Sequence, residues 1–109
     1  MVSLENKVIV ITGASSGIGK ATAMEFAKRG AKTVLVARRA EKLEEIIDQM
    51  RPFNDTSIFV QTDVADESEV INLFDIVENK FKRVDILVNT AGRGLKSEIS
   101  NTTYRIGFQ

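Results

Sequence analysis

The stretch from Lys7 to Gly19 constrains the fold more than any other. Lys7-Val8-Ile9-Val10-Ile11-Thr12 is a continuous apolar run closed by Gly13. It lacks period-two alternation, so it reads as a strand buried on both faces. Gly13-Ala14-Ser15-Ser16-Gly17-Ile18-Gly19 follows, and from Ile18 the spacing turns helical, with Ala23, Phe26 and Ala27 at i, i+3 and i+4. A strand, a glycine-rich turn and a helix in that order suit a phosphate-binding turn. Gly13 permits a tight exit from the strand, and Gly17 and Gly19 let backbone and ligand approach closely. The helix N-terminus offers unpaired N–H groups and partial positive charge to an anion. Three glycines alone also fit an ordinary turn; their place between strand and helix argues for a ligand. Ile18 is expected to act through its backbone N–H, with its side chain in the core.

The rest of the chain repeats the alternation. Gly30 stands where a left-handed helix cap belongs, and Thr33–Ala37 is a second strand. Leu43, Ile46, Ile47 and Met50 form one helical stripe, and Pro52 is the stop signal after it. Ser57–Gln61 is a third strand. Asp66 and Glu69 have capping-box spacing before a helix that buries Val70, Leu73, Phe74, Val77 and Phe81. Val84–Asn89 is a fourth strand. Strands joined by amphipathic helices, in the order β-α-β-α-β-α-β, imply an α/β fold: a parallel sheet with helices on both faces.

Composition narrows the functions. The chain has 109 residues, enough for one domain. Its net charge is zero, so neither nucleic acid nor an acidic membrane surface is expected as a partner. It has no cysteine and no histidine, which removes thiolate metal sites and the commonest general base; no metal site is expected. The polar start, Met1 to Lys7, does not suit a secretory signal, and no apolar run reaches membrane-spanning length, so the expected location is cytoplasmic.

Thr12-Gly13-Ala14-Ser15-Ser16-Gly17-Ile18-Gly19 resembles the cofactor motif of the short-chain dehydrogenase/reductase family. Asp63-Val64 follows the third strand, where that family places an acidic residue against the adenine ring. Asn89-Thr90-Ala91-Gly92 ends the fourth strand and is similar to the family's Asn-Asn-Ala-Gly motif. Thr90 departs from it, standing where a second asparagine is usual. The resemblance runs from about Lys7 to about Leu95. It implies a Rossmann-type three-layer α/β/α fold with strand order 3-2-1-4, ending after the fourth strand. It implies a cofactor-binding unit over 1–95 and an irregular tail over 96–109. It also implies that Thr12 braces the segment through its hydroxyl. The implied cofactor residues are Gly13, Ser15, Ser16, Gly17, Ile18, Gly19, Arg38, Asp63, Val64, Asn89, Ala91 and Gly92.

The tip of the second strand selects the cofactor. An acidic side chain there would bind the ribose hydroxyls of NAD and repel a 2′-phosphate. Here Ala37 is uncharged and Arg38 follows, and a guanidinium forms bidentate, charge-assisted bonds to phosphate. The expected cofactor is therefore NADP rather than NAD, with Ser15 adding a hydroxyl donor. Arg39 is expected to be part of a solvated helix start.

The family's reaction needs a tyrosine followed four residues later by a lysine. Tyr104 is the only tyrosine of these 109 residues, position 108 is Phe, and the place is too soon after the fourth strand. Tyr104 is therefore read as non-catalytic, and no catalytic residue is assigned. Two roles follow. One is the NAD(P)-binding part of an oxidoreductase that, in complete form, transfers hydride between NADP(H) and a carbonyl or alcohol. The alternative is a non-catalytic dinucleotide-binding or interaction module. Its open sheet edge would then support self-association or pairing with a full-length relative.

Overall fold

The structure is a computed structural model that describes residues 3–15 and 17–90. Ser16, Ala91, Gly92, Tyr104 and the expected tail lie outside the described residues. Among the described residues seven elements alternate: β1 (Val8–Thr12), α1 (Gly17–Lys28), β2 (Lys32–Ala37), α2 (Ala40–Met50), β3 (Ile58–Gln61), α3 (Glu67–Phe81) and β4 (Ile86–Asn89). The four strands form one sheet in the order β3-β2-β1-β4, and every neighbouring pair is parallel. This is the expected order, with β4 lying on the side of β1 opposite β2.

Successive side chains of a strand point to opposite faces, and β1 supplies a core to each. Ile9 and Ile11 pack with Leu35 of β2 under α1 and α2, where Ala23, Ala27, Leu43, Ile46, Ile47 and Met50 complete one apolar layer. Val8 and Val10 pack with Val34, Val36, Val60 and Leu87 under Val70, Leu73 and Val77 of α3. All five residues of β1 are buried, as its unbroken apolar run requires. α1 meets the sheet through Gly19, Ala23 and Ala27, whose small size lets its backbone approach closely.

The helix ends follow local chemistry. Gly30 has φ +85°, and its N–H reaches the Ala27 carbonyl while the Ala31 N–H reaches that of Phe26. These two bonds make a Schellman cap. α3 ends without glycine: Lys82 takes the left-handed conformation, φ 69°. At the start of α3 the Asp66 carboxylate accepts from the Ser68 and Glu69 N–H groups. The returning half of the expected capping box goes elsewhere, because Glu69 accepts the N–H of Asp63 at 2.8 Å. The strand β4 begins later than the apolar run suggests. Ahead of Ile86, the carboxylate of Asp85 takes the Val8 N–H at 2.8 Å and the Arg83 guanidinium at 2.8 Å.

At the opposite end of the sheet from the strand carboxyl ends, Asn54 is buried in the α2–β3 connection. Its amide donates to the carbonyls of Ala27 and Ala31 at 2.9 and 2.8 Å. Its oxygen accepts from the N–H and hydroxyl groups of Thr56 and Ser57. The Ser57 hydroxyl in turn accepts from the Thr33 hydroxyl at 2.6 Å. One side chain thereby ties the end of α1 to the entries of β2 and β3. No helix among the described residues is long and apolar enough to cross a membrane.

Candidate functional site

The carboxyl ends of the strands meet the first turn of α1, and the turn between them is built from glycine for two different reasons. Gly13 leaves β1 with φ +70°, and the next residue, Ala14, donates its N–H to the Val36 carbonyl at 3.1 Å, which holds the turn against β2. Gly17 has φ +59°, is exposed, and a Cβ placed on it would meet nothing within 4 Å. The space in front of it is open, and the unpaired N–H groups of a helix's first turn are the natural occupants of such a border. Gly19 is different. It is buried, and a Cβ there would lie 2.0 Å from the Gly13 carbonyl oxygen and 2.6 Å from the Thr90 hydroxyl. Its missing side chain serves the approach of protein to protein.

Ile18 corrects an expectation. The residue is 78% exposed and not in the core. Gly19 and Ala23, four residues apart, face the sheet. Ile18, one step of about 100° around the helix, therefore faces out at the rim of the glycine turn.

An open groove of about 690 Å³ is lined by Gly13, Ser15, Ala37, Arg38, Arg39, Thr62, Asp63, Val64 and Ala65. Five of the expected site residues, Gly13, Ser15, Arg38, Asp63 and Val64, thus come together from three loops. Arg38 is exposed, and its guanidinium has no hydrogen bond or ion pair among the described residues. Arg39 is the N-cap residue of α2, exposed as expected, yet it also borders the groove. The Asp63 loop is stiffened by its own bonds: the Ala65 N–H donates to the Asp63 carboxylate at 3.0 Å, and the Asp66 N–H to the Asp63 carbonyl at 2.9 Å. Thr62 and Ala65 also border the groove without having been singled out by sequence. Their only signal was adjacency to Asp63 in the loop that follows a buried strand.

Asn89 stands off this groove, beside the end of β1. The Thr12 hydroxyl donates to its side-chain oxygen at 2.7 Å, so Thr12 does brace the ends of β1 and β4 against each other. Thr90 adds to the brace: its N–H at 3.2 Å and its hydroxyl both donate to the Thr12 carbonyl.

The sequence profile described as short chain dehydrogenase matches residues 7–106. An oxidoreductase of Listeria monocytogenes is 46% identical over 90 residues, which are 83% of this chain and 36% of that protein. An oxidoreductase of Staphylococcus aureus is 42% identical over 101 residues, 93% of this chain and 43% of that protein. The chain therefore spans about two-fifths of the length of these curated relatives. Among solved structures, the L-sorbose reductase of Gluconobacter frateurii, complexed with NADPH and L-sorbose, superposes with a TM-score of 0.78 at 43% identity over 84% of this chain and 35% of that one. A short chain dehydrogenase/reductase from Burkholderia phymatum in complex with NAD superposes with a TM-score of 0.75 at 37% identity, covering 80% of this chain and 31% of that one. Fold, strand order, glycine turn and sequence profile agree, and the chain belongs to the short-chain dehydrogenase family.

Proposed function

We propose that this chain binds an NADP dinucleotide across the carboxyl ends of its strands, as the cofactor part of an oxidoreductase acting on a carbonyl or alcohol. The observation that carries the proposal is the pairing of Ala37 with Arg38 at the groove. The tip of β2 offers no carboxylate to ribose hydroxyls, and the next residue presents an exposed guanidinium that is unpaired among the described residues. The related structures hold NADPH in one case and NAD in another, so the choice has to come from residues of this kind.

The residues present fit such a cofactor. The space before Gly17 is open, and it borders a helix N-terminus suited to a pyrophosphate. Gly13, Ser15, Ser16, Gly17 and Ile18 would hold the pyrophosphate, Ile18 through its backbone. Arg38, with Ser15, would hold the 2′-phosphate. Asp63 and Val64 would border the adenine, and Asn89, Ala91 and Gly92 the path toward the nicotinamide. Bound there, the nicotinamide supplies or accepts the hydride. The test is calorimetric titration with NADP and NAD, before and after Arg38→Ala. A preference for NADP that disappears in the variant supports the proposal. Equal losses for both nucleotides would refute the role of Arg38.

A further inference from the structure

We infer that Gln61 is a positioning residue for Arg38, and through Arg38 for the choice between NADP and NAD; this rests on the 2′-phosphate role proposed for Arg38. The β2–β3 ladder runs to the pair Ala37 and Gln61, and just beyond it the Thr62 N–H donates to the Ala37 carbonyl at 2.9 Å. The next carbonyl along β2, that of Arg38, has left the ladder. Gln61 reaches it with its side-chain amide, Nε2 to the Arg38 oxygen at 2.9 Å. A side chain thus extends the sheet by one bond, to the residue that carries the guanidinium.

That bond matters because nothing among the described residues holds Arg38 by its side chain. The residue is exposed and its guanidinium is unpaired among them, so its aim is set by its backbone. With the carbonyl released, the peptide plane after Arg38 can turn, and the direction of a long, rotamer-rich side chain spreads with it. Gln61 and Arg38 also line, with Asp63 and Glu69, a smaller open concavity of about 400 Å³ beside the main groove. Among the described residues that line it, Arg38 is the cation, and it shares the concavity with the carboxylates of Asp63 and Glu69. An Arg38 left free to swing toward Asp63 or Glu69 would be lost to a phosphate, and a fixed backbone opposes that swing. Any loss of aim is felt by a ligand that carries the 2′-phosphate and not by one that lacks it.

The experiment uses the full 109-residue chain, titrated calorimetrically with NADP and with NAD, in four forms: parent, Gln61→Ala, Arg38→Ala and the double variant, with Gln61→Glu as a variant of equal length lacking the donor. Gln61→Ala should raise the Kd for NADP by about twofold to tenfold, the net worth of one hydrogen bond, and that for NAD by less than about twofold. Gln61→Glu should weaken NADP binding at least as much. In the Arg38→Ala background, Gln61→Ala should have no further effect on NADP. A merely structural role for Gln61 would weaken both nucleotides in both backgrounds, and that result overturns the inference, as does no effect at all. If Arg38→Ala shifts the NADP-to-NAD ratio and Gln61→Ala does not, only the inference about Gln61 falls. If Arg38→Ala leaves the ratio where it was, or the parent binds neither nucleotide, both fall.

Discussion

Gly19 and Thr90 meet where no further atom fits: a Cβ on Gly19 would stand 2.6 Å from the Thr90 hydroxyl. That hydroxyl donates to the Thr12 carbonyl. The first turn of α1, the end of β1 and the residue after β4 are therefore packed into one junction beneath the glycine turn. The family's usual second asparagine is replaced here by a threonine, whose short hydroxyl reaches the Thr12 carbonyl while clearing the bare Cα of Gly19. Gly19→Ala should cost about 1–3 kcal/mol, the usual penalty for overpacking, and weaken nucleotide binding with it. Because the closest atom is the Gly13 carbonyl oxygen, at 2.0 Å, trimming Thr90 to alanine should not rescue the variant. Urea denaturation of the single and double variants checks this; full rescue would show that the side chain, not the backbone, sets the limit.

The buried amide of Asn54 serves the carbonyl of Ala27 in the last turn of α1, that of Ala31 just ahead of β2, and four donors of Thr56 and Ser57. Asn54→Ala strands several of these groups away from water. It should destabilise the chain by about 2–4 kcal/mol, since each buried group left without a partner costs about 1–3 kcal/mol and some will find water. Asn54 is far from the groove, so nucleotide affinity measured under conditions where the variant is still folded should be unchanged. A midpoint shift worth less than about 1 kcal/mol would contradict the account.

Lys82 closes α3 in the left-handed conformation that glycine adopts without steric cost. Lys82→Gly should therefore stabilise the chain, by about 0.5–1 kcal/mol after the extra freedom of glycine in the unfolded state is deducted. A higher urea midpoint with an unchanged slope is the expected result.

Arg38→Ala should weaken NADP binding by about tenfold to a hundredfold, because a charge-assisted contact is worth about 1.5–3 kcal/mol. NAD affinity should fall far less. The NADP loss should also shrink as salt is raised, because the pair is exposed and screened.

A polypeptide of these 109 residues should bind nucleotide without oxidising NADPH. Hydride transfer needs a fixed nicotinamide and a proton donor at the substrate oxygen. The only tyrosine here is Tyr104, with Phe rather than Lys at 108, and there is no histidine. NADPH absorbance followed with aldehydes, ketones and quinones should not exceed that of a Gly17→Asp control, in which a carboxylate enters the open space before the helix. Turnover above the control that is lost in Tyr104→Phe would show the opposite.

The amino-acid sequence by itself determined the alternation of elements, the glycine turn and the Ala37–Arg38 tip. All of these rest on signals that are local: buried runs of a few residues, the helical repeat, and turn residues at strand ends. The strand order came with the resemblance of the motifs to the family, since the alternation of elements by itself is compatible with more than one order of parallel strands. Tertiary structure alone decided the rest, because it depends on residues far apart in the chain. Ile18 looks apolar and therefore buried, but the face of α1 that meets the sheet is chosen by Gly19 and Ala23, and Ile18 is left outside. Gly19 looks like a ligand-facing glycine until Thr90 is seen beside it. Gln61 reads as an ordinary strand end, and Asn54 as a turn asparagine. Only the folded chain brings Gln61 to Arg38 across 23 positions and Asn54 to Ala27 across 27. A hydrogen bond requires placement within a few tenths of an ångström, and hydrophobic periodicity carries no information at that scale.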